Sequence, residues 1–397
     1  MSIKDKVAII GMGCTKFGEL WDKSVDDLVV EACYEAFEDA GIQPGDIQAA
    51  WLGSCRSGHR GVPIAVPLKL GNIPITRVEN ACATGTDAVR NACYGIAAGE
   101  YDMVLACGVE KNKDYGFAGV PASSPSYPEV ALSQVRPSLP MPAQFALLAL
   151  GYFHKYGIGY SEGRNALARI AVKNHHNGTL SPKAHLHREV TLEQVLNAPM
   201  IAKPLGLYDC CGTSDGCSAA ILTTPEIARK YRNDYVLVKG IGESQGDDYA
   251  QVDANFEWDH WEENLGAVEA AYKEAGITNP REQIDIASVH DCFTINELVA
   301  YEDLGFSHRG RAIDDIIAGF FALDGGLPVN TDGGLKCFGH PTSASGIRMI
   351  YEIYKQIQGK AGPRQVKDVK LGLTHNIGGW PGAFAAAVCV LGRADHK

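Results

Sequence analysis

Short apolar runs alternate with helical patterns along most of this chain, and that alternation narrows the possible folds more than any other feature. Val7 to Gly11 reads as an apolar strand ending in glycine, and Asp26 to Ala40 as a helix closed by Gly41 and then Pro44. Ala49 to Gly53 and Thr76 to Val78 are strand-like, a helix runs from about Gly85 to Ala98, and Met103 to Ala106 returns to strand. Such alternation builds βαβ units around a largely parallel sheet covered by helices. The order then recurs. Tyr235 to Ile241 is a strand, Trp261 to Ala275 a helix, and Ile284 to Val289 and Val329 to Thr331 are strands. A helix ending near Gln358 and the strands Lys370 to Thr374 and Ala383 to Val390 complete it. Element order thus predicts two equivalent halves, 1–230 and 231–397, although no sequence identity between them is evident.

Residues 113–205 break the rhythm. Pro121 to Pro142 is rich in Pro and Ser, helical patterns follow at Ala143 to Tyr156 and Ala166 to His176, and His185-Leu186-His187-Arg188 is polar. This stretch reads as an insertion covering the functional face. The strand pattern resumes at Cys217 to Leu222, and Thr224-Pro225 opens a helix. The cluster His175, His176, His185 and His187 reads as a solvated or ligand-facing surface, not a metal site.

A formal net charge of −11 argues against non-specific nucleic-acid binding, so an anionic ligand must find a local basic patch. No apolar run is long enough to span a bilayer, and the N-terminus lacks the apolar region of a signal peptide. A cytoplasmic location is the expectation. Twelve cysteines then read as reduced thiols, and Cys210-Cys211 with Cys217 fits no usual zinc spacing and reads as core or site lining.

Three turns carry chemistry. In Asn80-Ala81-Cys82-Ala83-Thr84-Gly85, a cysteine flanked by small residues sits between a strand and a helix. A helix N-terminus favours a thiolate, so Cys82 is a candidate nucleophile. Ile284 to Val289 ends in His290-Asp291-Cys292-Phe293, with Thr294 as a possible helix cap. Gly339-His340-Pro341 opens the helix that follows it. Equivalent places in the two halves would let the Cys82 and His340 turns face each other across a pseudo-twofold axis. A lone histidine in such a turn is usually structural, but three turns bearing His or Cys argue for a site.

These residues resemble the thiolase superfamily over essentially the full length, and most closely its sterol-carrier-protein-type and archaeal-type members. The segment around Cys82 resembles the nucleophile motif, Gly339-His340-Pro341 the histidine motif, and Asn376-Ile377-Gly378-Gly379 the glycine-rich terminal motif. His290-Asp291-Cys292-Phe293 resembles the sequence those subgroups carry where other thiolases have Asn-Glu-Ala-Phe. Many thiolases have a second catalytic cysteine where this chain has Asn376, and the resemblance implies that Cys292 supplies that thiol instead. It further implies an α/β, duplicated thiolase fold of five α-β-α-β-α layers with an inserted loop domain. Coenzyme A would be a substrate, with no metal in this chain, a homodimer as the core assembly and a small zinc-ribbon/OB-fold protein as a possible partner.

On that resemblance, Cys82 would attack the β-keto carbonyl of an acyl-CoA and hold an acyl group. His340 would take the Cys82 proton, and Cys292 would protonate the departing α-carbon and then deprotonate incoming CoA. His290 and His340 would hold the thioester oxygen. Backbone N–H groups of Cys82 and Gly378 would form a second oxyanion hole, each such donor contributing roughly 3–4 kcal/mol. Asn376 either supports the loop alone or takes part, and Cys337 reads as packing. Lys173, Lys183, Arg188 and Lys203 are candidates for CoA phosphates. Tyr115, Phe117, Tyr127, Phe145, Tyr152 and Phe153 are candidates to line a bulky acyl pocket, with Arg136 pairing a substrate carboxylate, as in a benzoylsuccinyl-CoA thiolase. Acetoacetyl-CoA cleavage, a ketoacyl-synthase-type condensation, a retro-aldolase of sterol side-chain thioesters and an inert scaffold subunit remain as alternatives. The Cys292 thiol favours thiolase over a condensing enzyme, and Cys82 has no use in an aldol cleavage.

Overall fold

A computed structural model describes residues 2–115, 140–247, 253 and 255–395. The first half runs β1 (Ala8–Cys14), α1 (Val25–Ala40), β2 (Ala49–Gly53), α2 (Val62–Ala65), β3 (Ile75–Val78), α3 (Thr84–Ala97) and β4 (Met103–Lys111). The inserted region follows with α4 (Met141–Lys155), α5 (Tyr160–Thr179), α6 (Leu192–Leu196), β5 (Met200–Ala202) and β6 (Leu205–Gly206). β7 (Asp215–Thr223) and α7 (Pro225–Tyr231) return to the main body. The second half comprises β8 (Val236–Gln245), α8 (Glu262–Ala275), α9 (Pro280–Gln283), β9 (Ile286–Val289), α10 (Thr294–Asp303) and α11 (Ala312–Ile317). It closes with α12 (Gly334–Phe338), α13 (Thr342–Ile357), β10 (Leu371–Gly378) and β11 (Ala385–Arg393).

Nine of these strands join, among the described residues, in the order β3-β2-β4-β7-β1-β8-β11-β10-β9. The order reads alike outward from its centre. β1 and β8 are the innermost strands, each followed outward by an antiparallel neighbour (β7, β11), and β2 runs parallel to β4 as β9 does to β10. The counterpart of β3 is reduced to one bridge, Ala287 to Val329, where the sequence suggested a strand at Val329 to Thr331. The pairs Ala8–Leu237 and Ile9–Val236, with backbone hydrogen bonds from Asp5 N to the Val238 carbonyl and from Val238 N to the Val7 carbonyl (both 3.0 Å), tie the halves edge to edge.

Side-chain alternation sets the layers. From β1, Ala8 and Ile10 pack with Leu28, Ala32 and Phe37 of α1. Its Ile9 and Met12 pack instead with Val89 and Ile96 of α3 and Ile350 and Ile353 of α13. In β11, Val388 and Val390 join Ala267 and Ala271 of α8, while Cys389 and Leu391 face the α3/α13 layer. The layers therefore run α1, first half-sheet, α3 with α13, second half-sheet, α8. A Cβ on Gly85 would come within 2.5 Å of the Ser343 carbonyl oxygen, and one on Gly346 within 2.5 Å of the Thr86 Oγ1. Only glycine lets the two central helices approach this closely. That approach brings both helix starts to one place.

The inserted helices brace the second half. Asn174 of α5 donates to Asp291 Oδ2 (2.9 Å), and Asn177 to the Asn330 carbonyl (3.0 Å). Among the described residues, no helix is long and apolar enough to cross a membrane.

Candidate active site

The turn before α3 is over-determined. Ala81, which precedes the cysteine, sits at φ 46°, a left-handed conformation that a residue with a side chain rarely holds. Its N–H donates to Glu79 Oε1 (2.7 Å), and its carbonyl accepts from Thr84 Oγ1 (2.6 Å). Asn80 Nδ2 donates to Asp87 (2.9 Å) and to Glu243 (3.1 Å), tying the turn to α3 and β8. Cys82 itself is half-buried.

The expected thiolate is not the resting state. Burial, with the neighbouring Cys55, Cys211 and Glu79, pushes the Cys82 thiol well above its ordinary range. The backbone N–H of Gly379 bonds to the sulfur and opposes this only in part. The helix N-terminus is readable in the sequence, but desolvation and acidic neighbours outweigh it. Gly378, read from the sequence as an oxyanion donor, packs closely on the same turn: a Cβ there would lie 2.3 Å from the Cys82 nitrogen.

His290 and His340 meet edge to face, with ring centroids 5.0 Å apart. Both are kept neutral. Burial, then His340, holds His290 well below the usual imidazole range, and burial, then Arg348, brings His340 down to about 3. His340 Nδ1 contacts Ser345 Oγ at 2.8 Å, and its Nε2 is buried without a hydrogen-bond partner among the described residues. His290 Nδ1 lies 3.2 Å from Asn376 Nδ2. Asn376 is a residue of β10, not of a loop, and its Oδ1 accepts from Thr86 Oγ1 at 2.6 Å.

Cys292 is buried, and its thiol is raised by burial and then by Cys211 and Cys82, which places the three sulfurs within electrostatic reach of one another. Cys211 donates its N–H to the Cys292 carbonyl (2.9 Å), so of the two parts the sequence allows it, core or site lining, it takes the second. Asp291 accepts from the N–H groups of Leu335 (2.6 Å) and Lys336 (3.1 Å), joining this turn to the chain that leads into Gly339 and His340. Burial, then Glu297, raises Asp291 to about 7. Thr294 is not the cap of α10. Phe293 occupies that position, and Thr294 Oγ1 donates to Asp209 Oδ1 (2.8 Å).

Several other expectations change. Phe145, Tyr152 and Phe153 are core: Phe145 stacks on Phe293 at 4.5 Å, and Tyr152 donates to Glu302. Phe117, Tyr127, Arg136 and the side chain of Tyr115 lie outside the described residues. Lys173 is engaged by the Val329 carbonyl (2.6 Å) and Glu297 (2.8 Å), and Lys183 by the Cys14 carbonyl and Glu35, whereas Arg188 and Lys203 are exposed. His175 is buried against Tyr208 and is no surface group, His176 pairs with Glu189, and His187 contacts the Ala184 carbonyl. The group with metal-ligand spacing among the described residues is a different one, Glu257, Asp259 and His260. Lys155 already occupies its two carboxylates, at 2.6 and 3.0 Å. Cys337 is packing, with its thiol donating to the Asn174 carbonyl (3.2 Å).

Two equivalent α/β halves whose central helices begin at a thiol and an imidazole define the duplicated thiolase fold. The sequence agrees with that class: the thiolase N-terminal domain model matches residues 7–226, and the thiolase C-terminal domain-like model residues 257–393. The chain belongs to the thiolase family of acyltransferases, whose substrate is coenzyme A. It is 39% identical to an acetyl-CoA acetyltransferase of Methanothermobacter thermautotrophicus, over 96% of this chain and 98% of that one. It is 30% identical to the benzoylsuccinyl-CoA thiolase subunit BbsB of Thauera aromatica, over 96% of each. Among solved structures, the Ltp2-ChsH2(DUF35) aldolase superposes with a TM-score of 0.87 at 26% identity, covering all of both chains.

Proposed function

We propose that this protein is a β-ketoacyl-CoA thiolase working by a ping-pong mechanism through an acyl group on Cys82. The observation that carries the reading is a neutral thiol and a neutral imidazole at the starts of two helices that touch through Gly85 and Gly346, with His340 Nε2 lacking a hydrogen-bond partner among the described residues. The Cys82 proton passes to His340, and the sulfur attacks the β-carbonyl carbon. As the Cα–Cβ bond breaks, its electron pair moves into the shorter thioester as an enolate. Cys292 protonates that α-carbon, and acetyl-CoA or its homologue leaves. The Cys292 thiolate then takes the proton of incoming CoA, whose sulfur displaces the acyl group from Cys82, and the leaving Cys82 sulfur takes its proton back from His340. His290 and the newly protonated His340 donate to the enolate oxygen, and the backbone N–H groups of Cys82 and of the Gly378-Gly379 turn serve the other oxyanion.

Acetoacetyl-CoA is the first substrate to try, given the name of the 39% identical relative. A dicarboxylic aromatic β-ketoacyl-CoA is the second, on the name of the BbsB relative. A retro-aldol reading draws on the likeness to the Ltp2-ChsH2 aldolase, and the presence of Cys82 weighs against it. Arg188 and Lys203 are the exposed cations to test for CoA phosphates. A homodimer, a cytoplasmic location and a small zinc-ribbon/OB-fold partner complete the proposal. The deciding assay measures CoA-dependent cleavage of acetoacetyl-CoA and of aromatic and dicarboxylic β-ketoacyl-CoAs, with and without that partner. CoA-dependent cleavage of at least one supports the proposal. Cleavage of a β-hydroxyacyl-CoA without CoA, and of no β-ketoacyl-CoA, overturns it.

A further inference from the structure

The two site histidines are held by partners of opposite character. Ser345 Oγ lies 3.0 Å from the Pro341 carbonyl, which can only accept, and 2.8 Å from His340 Nδ1; a hydroxyl proton directed at the carbonyl leaves Oγ an acceptor toward Nδ1. That arrangement puts the ring proton on Nδ1 and the lone pair on the buried Nε2. At His290 the logic reverses. Asn376 Oδ1 accepts from Thr86, and its Nδ2 lies against Met349 Sδ (3.1 Å), an atom with no proton to give. Turning the amide over would set oxygen against sulfur, so Nδ2 faces His290 Nδ1 as a donor. The lone pair of His290 is then at Nδ1, and its proton is on Nε2.

We infer that Ser345 and the Asn376–Thr86 pair are positioning residues that fix opposite tautomers, making His340 the proton acceptor and His290 the standing donor at Nε2. The inference rests on the thiolytic reading above for its consequence, though not for its geometry. It explains how two adjacent neutral imidazoles divide their tasks. If both carried the proton at Nε2, no base would face Cys82. If both carried it at Nδ1, no donor would meet the enolate oxygen before proton transfer. It also gives Asn376 a task at the position where many thiolases have a second cysteine. Gly346 is required as well, because a Cβ there would press on Thr86 and come within 2.9 Å of Asn376 Oδ1.

The test is ¹⁵N NMR of histidine-labelled full-length enzyme at pH 7.5, with His290→Gln and His340→Gln assigning the signals. The expected result is Nε2–H at His290 and Nδ1–H at His340. The same tautomer on both rings overturns the inference whatever the activity. Asn376→Asp places an acceptor at His290 Nδ1 and is expected to move the proton there. It should lower kcat about 10²-fold or more while changing KM little, as loss of one transition-state donor does. Thr86→Val frees the amide to turn and should give a mixture at His290, which Thr86→Ser should reverse. Ser345→Ala should lose the single tautomer at His340 and lower kcat, with Ser345→Thr restoring both. Full kcat in Asn376→Asp and Ser345→Ala would refute the positioning role even with the tautomers as stated. Full turnover by Cys82→Ser would instead remove the thiolytic reading and leave the tautomer assignment standing.

Discussion

Each half of the molecule ends its equivalent strand, β2 or β9, on a turn that carries a cysteine near Cys82. After β2 comes Cys55, and after β9 comes Cys292. Cys55 is built into the scaffold. Its N–H donates to Glu110 and to Ser343 Oγ (3.0 Å), and its thiol lies 3.4 Å from the Ala81 carbonyl. Burial, then Glu110, pushes that thiol to about 12. Cys292 has other thiols, Cys211 and Cys82, as its leading electrostatic neighbours. One duplicated position is thus hydrogen-bonded into the turn before α3, close to Cys82, and the other has thiols as its leading electrostatic neighbours. What separates them is the company each thiol keeps.

Substitutions can break this comparison. Cys82→Ser is expected to lower thiolysis by about 10⁴-fold or more, because a hydroxyl gives up its proton to His340 far less readily than a thiol and is the weaker nucleophile. Cys292→Ser should cost about 10²–10⁴ in kcat with little change in KM, since it removes the acid and base of two steps. Steady-state kinetics on acetoacetyl-CoA measures both. Cys55→Ser should stay within tenfold of the parent rate and register mainly as a loss of about 1 kcal/mol in urea unfolding. Equal rate losses in Cys55→Ser and Cys292→Ser would abolish the distinction.

A smaller effect comes from His340. Its folded value of about 3 lies below the ordinary 6.5, so the unfolded chain binds the extra proton between those values. Stability conferred by the neutral ring is present above pH 6.5 and is lost as pH falls toward 3. The unfolding free energy of the parent minus that of His340→Asn should therefore decline below pH 6.5, by up to about 1.4 kcal/mol per pH unit. A difference that stays constant from pH 7.5 to 5 would contradict the buried neutral imidazole.

Much of the scaffold is legible in the sequence because its strands are apolar runs and its helices begin and end on local chemistry. The β2 bounds match the sequence reading. Helix α1 starts at a reciprocal Ser24–Asp27 cap, with Asp27 N to Ser24 Oγ at 3.2 Å, and ends at Gly41, φ 73°. Strands β4 and β8 run further than expected, to Lys111 and Gln245, because Glu110, Lys111, Glu243 and Ser244 look like loop residues until tertiary partners pair them. In the site, Cys82, His290, Cys292 and His340 announce themselves at helix-starting turns. Ser345 and Thr86 do not, since their parts depend on neighbours far away in the chain, and Cys211 is left open in the sequence between core and site lining. The protonation of Cys82 escapes the sequence for a related reason: a helix end is a local pattern, whereas burial is not. The aromatic residues of α4 are ambiguous likewise, being equally suited to a pocket and to a core.

The most direct test is intact-mass and peptide mapping of the protein incubated with a cleavable β-ketoacyl-CoA and no free CoA. The account predicts one acyl group per chain, carried on Cys82 and discharged when CoA is added. Continued cleavage with an unmodified Cys82, or an acyl group lodged on another residue, would contradict it.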